Sequence, residues 1–195
     1  MADGTTAALD AEPHALPHNI EAEQALLGAL LVNNDVFDRV ASIVQAGHFF
    51  DPVHARIFEV CADRIRRNAL ATPVTIKAFF DGDAGLAELG GPGYLVRLAG
   101  AAISLFAARD YAQLVYDLAI RRELITLGQG IAEKAARAEV DSEPKDQIVE
   151  AEQALYQLGE QGKVDKGFQS FRTASITARR KVWKPRSILP ASPSW

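Results

Sequence analysis

Residues 106–139, FAARDYAQLVYDLAIRRELITLGQGIAEKAARAE, decide how this chain folds. The stretch has no proline, and Tyr111, Leu114, Val115, Leu118, Ile125 and Leu127 give it apolar contacts on more than one side at helical spacing. About 30 residues of helix extend roughly 45 Å, which is long for a chain of this size. Gly128 and Gly130 weaken the run, and a kink is expected there. Asp141-Ser142-Glu143-Pro144 then signals a turn and a cap. Ile148, Ala151, Leu155 and Leu158 recur at helical spacing to about Gln161. Two helices joined by a short turn pair antiparallel, so the sequence predicts a long helical hairpin.

Working toward the N-terminus, the pattern is of short helices. Pro17-His18-Asn19 opens the first, with Asn19 as N-cap and Glu21 and Glu23 placing negative charge on the first turn. Ala22, Leu26, Ala29 and Leu30 share a face, with Leu27 and Leu31 beside it. A second helix, Val36 to about Gly47, points Val36, Val40, Ile43 and Val44 inward. Asp51-Pro52 starts a third, with Ile57, Phe58, Cys61 and Ile65 as its stripe, and Thr72-Pro73 a fourth with Ile76, Phe79 and Phe80. Gly82, Gly85, Gly90, Gly91 and Gly93 punctuate a loop before a fifth helix, Tyr94 to Ala102. Their spacing is not that of a phosphate-binding loop. The expected fold is all-α: a bundle of about five helices over residues 17–161, ending in the hairpin. A polar arm (1–16) precedes it, and a glycine-bearing linker (162–174) and a separate basic tail (175–195) follow.

Charge is divided unevenly. Residues 1–167 hold 15 basic against 25 acidic side chains, whereas 168–195 hold six basic and none acidic. An acidic body is a poor nonspecific DNA binder, because phosphate neutralisation supplies most of that affinity. The tail, with Trp183 and Trp195, could bind nucleic acid as a short flexible cation. No run of apolar residues is long enough to span a bilayer, and the first 16 residues contain no Lys or Arg, so a cytoplasmic protein is expected. Cys61 is expected to be a buried, inert thiol.

No catalytic, cofactor or metal site emerges. A P-loop ends in Lys followed by Ser or Thr, and no lysine here is so followed; Gly162-Lys163-Val164 also lacks the upstream glycine. His14, His18, His48 and His54 have one cysteine between them, so no zinc set is expected, and His48 and His54 are read as packing or surface residues. Acidic residues read as solvated faces. Arg64, Arg66, Arg67, Arg121 and Arg122 read as helix-end and surface cations, with DNA contact the alternative. On the hairpin, Ile125, Ile131 and Ile148 either belong to its inner stripe or form an exposed patch for a partner.

Several motifs resemble the N-terminal domain of the DnaB-type replicative DNA helicase. They are Pro17 to Gln24 with Leu27-Gly28; His48-Phe49-Phe50 with His54 and Ile57-Phe58; Thr72-Pro73-Val74; and Gly90-Gly91-Pro92-Gly93-Tyr94-Leu95. The long helix adds Tyr111-Ala112, Arg121 to Ile125 and Ile131-Ala132-Glu133. The resemblance covers roughly residues 17–174 and implies a helical domain that pairs through its hairpin, builds the collar of a hexamer and recruits primase. Carried over by position, Glu21, Tyr94, Ile125 and Ile131 match places used for domain contacts or primase coupling, with Ile148 a weaker transfer. A helicase loader is a further implied partner.

The resemblance ends before any motor domain. Gly167-Phe168-Gln169-Ser170-Phe171 is similar to the start of the interdomain linker, and past Ala174 nothing matches. ATP and Mg²⁺ belong to the family's motor, so this chain alone is expected to bind rather than catalyse. The switch to Arg, Pro, Ser and Trp suggests translation in a shifted frame. The rival readings are a basic-tailed nucleic-acid-binding module and a fragment that poisons intact hexamers.

Overall fold

The computed structural model describes residues 15–101, 107–137 and 143–161. The N-terminal arm, the Asp141-Ser142 turn, the linker and the tail with both tryptophans are expectations that fall wholly or almost wholly outside those residues. Within them, the fold is all-helical: α1 (Ile20–Val32), α2 (Val36–Val40), α3 (Pro52–Arg66), α4 (Pro73–Ile76), α5 (Ala84–Glu88), α6 (Pro92–Gly100), α7 (Ala108–Arg137) and α8 (Pro144–Gln161). Short 3₁₀ turns lie at Ala46–His48 and Lys77–Phe80.

α1 is the hub. It packs against α7, α6 and α3, and Leu26, Leu27 and Leu30 have no exposed surface. A helix that is apolar on all sides must be surrounded, and each such leucine contributes roughly 1.5–3 kcal/mol by burial. Its entry is fixed by Asn19, whose side chain accepts from the Ala22 amide at 2.9 Å. The other starts use the same chemistry. Asp51 accepts from the Val53 amide at 2.7 Å ahead of Pro52, and Thr72 and Thr75 form a reciprocal capping box ahead of Pro73.

Two expectations change. The second helix stops at Val40 rather than near Gly47: the Val40 carbonyl accepts from both Ile43 and Val44, folding the chain into a turn. Ile43 and Val44 are buried as expected, but by that turn. The glycine-punctuated loop contains the additional helix α5, capped by Asp83 accepting from the Leu86 amide at 2.8 Å, so the bundle has six short α-helices before α7. Gly91 has φ 65° and forms the N-cap of α6, a backbone conformation that favours glycine.

α7 runs for 30 residues as one α-helix through Gly128 and Gly130. Its buried residues, Ala108, Ala112, Val115, Tyr116 and Ala119, all lie in the first half. The second half leaves the bundle and pairs with α8, with Lys134 Nζ 2.8 Å from Glu150 Oε2 across the pair. No helix among the described residues is long and apolar enough to cross a membrane.

Candidate partner-binding surface

Three polar side chains are buried where α1, α3 and α6 meet. Glu23 is 2% exposed and His54 not at all. His54 Nδ1 lies 2.7 Å from Glu23 Oε2, and His54 Nε2 lies 2.5 Å from the Tyr94 hydroxyl. Gln24 donates to that hydroxyl at 3.1 Å. Tyr94 therefore has its own hydrogen left to donate to Nε2, which puts the ring hydrogen on Nδ1 facing Glu23. The other Glu23 oxygen accepts from the Phe50 amide at 2.6 Å, fixing the turn into α3. Burial pushes the Tyr94 hydroxyl above its usual range. No buried side-chain polar atom among the described residues lacks a partner, so this set is fully satisfied and braces three helices.

A second brace ties the hairpin to the bundle. Arg122 donates to the carbonyls of Pro17 (3.0 Å) and His48 (2.7 Å) and lies over the Phe50 ring, which stacks on His18. Burial, with the Arg122 charge second, holds the His48 imidazole below its ordinary range. The Cys61 thiol is fully buried and is pushed by burial to about 12, so it is inert at neutral pH.

These braces revise the reading of several side chains. Glu23 is a buried acceptor rather than part of a solvated face. His54 continues the stripe of Ile57, Phe58, Cys61 and Ile65, and that position was the available signal that its ring points inward. Arg122 follows Ala112, Val115, Tyr116 and Ala119 on the inner side of α7 in the same way.

The five candidate partner residues do not form one cluster. Glu21 is exposed on the first turn of α1. Tyr94 is 7% exposed, with its hydroxyl committed to the His54 brace. Ile131 and Ile148 come together, lining a cleft of about 430 Å³ between α7 and α8 with Leu127, Gly130 and Ala151. Ile125 is exposed on α7 and does not line the cleft.

Comparison with known proteins gives this arrangement its family. Residues 15–117 match the family described as DnaB-like helicase N terminal domain. The chain belongs to the DnaB-like helicase N-terminal domain family. The replicative DNA helicase DnaB of Rickettsia typhi is 36% identical over 156 residues, covering 80% of this chain and 31% of the relative. That of Mycobacterium leprae is 26% identical over 144 residues, covering 74% and 24% respectively. This DnaB-type chain thus spans under a third of the length of these relatives.

Among solved structures, the N-terminal domain of DnaB helicase from Mycobacterium tuberculosis aligns with a TM-score of 0.66 at 25% identity, covering 73% of this chain and 99% of that one. A structure of a DnaB-like replicative helicase and its interactions with primase aligns at 0.61 and 26%, covering 84% and 36%.

Proposed function

We propose that this chain works as the collar domain of a replicative DNA helicase in the cytoplasm, binding rather than catalysing: it self-associates through the hairpin and recruits primase. The observation that carries this is the uncovered apolar surface of the hairpin. Ile131 and Ile148 are 36% and 59% exposed beside the cleft, and Leu124, Ile125 and Leu155 are also exposed. A monomer that leaves this many large apolar side chains in water on one element is presenting a partner site. Glu21 and Ile125 are the proposed further contacts, and Tyr94 acts by holding α6 against α1 and α3.

Residues 17–161 are the binding domain, and 162–174 begin the connection to the motor, which in full-length relatives would supply ATP hydrolysis and unwinding. A helicase loader is a further proposed partner. The test is Ile131→Asp, read by sedimentation and by primase binding. Helical content should survive while one or both associations are lost. Unchanged circular dichroism with both associations intact would remove the hairpin assignment.

A further inference from the structure

α8 has two sides of opposite character. Ala151 and Ala154 line the cleft against α7, and Leu158 is buried. On the other side Val149, Glu152, Tyr156 and Glu160 recur at three- and four-residue intervals, with Asp146 one turn before Val149, so they share one face. Val149 and Tyr156 are 49% and 59% exposed there, and Asp146 and Glu152 are exposed beside them. Residues 143–161 hold five acids, Glu143, Asp146, Glu150, Glu152 and Glu160, against the single cation Lys145. Among the described residues the principal neighbour of α8 is α7, which packs on the opposite side from this face.

The chain that continues from α8, beyond the described residues, is the complement of that face. Residues 179–186, RRKVWKPR, put five cations around Val182 and Trp183, and no acid follows Asp165. A basic segment with an aromatic residue at its centre matches an apolar pair set among acids. Opposite charges fix the register, Tyr156 offers a ring face to a guanidinium, and Val149 offers apolar area to Trp183. The 17 residues 162–178 join α8 to the segment. Such a tether extends to at most roughly 60 Å, whereas α8 is about 27 Å long, so the segment reaches every turn of the face. Linked in this way, it is presented to the face at an effective concentration on the order of millimolar.

We propose that residues 179–186 fold back and dock on the face of α8 formed by Asp146, Val149, Glu152 and Tyr156 of the same chain. The contact goes beyond the collar reading and does not rest on it, because it lies on the side of α8 away from the Ile131 cleft. It covers apolar residues that α7 leaves in water, and it excludes other basic partners from that face. Opposite charges near the surface hold it, so it weakens as salt rises.

Trp183 and Trp195 are the only tryptophans, so in a Trp195→Phe background the fluorescence reports Trp183 alone. The experiment is acrylamide quenching of Trp183 in the full chain at low and high salt. Trp183 should be shielded at low salt, and high salt should raise the quenching constant by about twofold or more. Asp146→Lys with Glu152→Lys should raise it at low salt, as should Arg179→Glu, Arg180→Glu and Lys181→Glu together. Both α8 positions are exposed, and circular dichroism checks that helical content persists. Combining the two sets should restore the shielding, a rescue that a merely misfolded variant would not give. Quenching that responds neither to salt nor to the α8 substitutions overturns the proposal. Shielding that fades on dilution assigns the segment to the α8 face of a second copy and overturns docking within one chain. Shielding that appears only when a single-stranded oligothymidylate is added assigns the segment to nucleic acid and overturns it as well.

Discussion

α7 is one helix in two environments. Between Ala108 and Ala119 it buries five residues against the bundle, and Arg122 bolts it to the chain at Pro17 and His48. From Glu123 to Arg137 none of its residues is fully buried, and Leu124, Ile125 and Ile131 stay exposed with α8 as the one large neighbour. The inner half is specified by packing and satisfied polar groups. The outer half is specified mainly by helix propensity and a single partner helix. The bundle thus buries its apolar residues, whereas the hairpin leaves several of them facing solvent.

The largest effects should therefore come from the bundle. His54→Ala strands the Glu23 carboxylate and the Tyr94 hydroxyl in the core, and removing one member of such a buried set costs about 3–5 kcal/mol. Leu26→Ala, at a site with no exposed surface, should cost about 2–5 kcal/mol. Urea denaturation checks both. A loss under about 1 kcal/mol for both would mean that the bundle is not the stable half.

Arg122→Lys probes the junction. A lysine cannot hold two carbonyls and lie flat over Phe50, so about 1–2 kcal/mol should go. Hydrogen exchange should quicken around Asn19–Ile20 and Phe49–Phe50 and little elsewhere. Fast exchange confined to α8 would show that the arginine serves the hairpin alone.

In the outer half the sign should reverse. Gly128 is exposed in mid-helix, and a Cβ there meets nothing within 4 Å, so Gly128→Ala should stabilise the hairpin by about 1 kcal/mol. Slower amide exchange over residues 121–137, with the bundle unchanged, is the expected result. No change would mean that the outer helix is already held by something stronger than propensity.

The sequence showed the bundle and hairpin plainly, because apolar spacing and the caps Asn19, Asp51-Pro52 and Thr72-Pro73 are local signals. The overrun of α2 past Val40 and the missed α5 were failures of local signals: in both places the chain turns within a few residues while still burying Ile43, Val44 or Leu86. The Glu23–His54–Tyr94 brace was not legible, since its members lie 31 and 40 residues apart and only the fold brings them together. Of the candidate contacts, only the pairing of Ile131 with Ile148 emerges as a shared surface, while Tyr94 faces inward.

The smallest effect on stability should be the most informative. Leu124 is 46% exposed on the outer half of α7, so Leu124→Ala removes little buried surface and gains helix propensity, for a net change within about 0.5 kcal/mol. Its chemistry is that of Leu26→Ala, so any difference between the two reports environment alone. If stability holds while self-association weakens, the outer half carries apolar residues for a partner, and fold and assembly are separable. If stability instead falls by about 2 kcal/mol and depends on protein concentration, Leu124 is covered in solution by a second copy. The hairpin would then be half of a core that only the assembled collar completes.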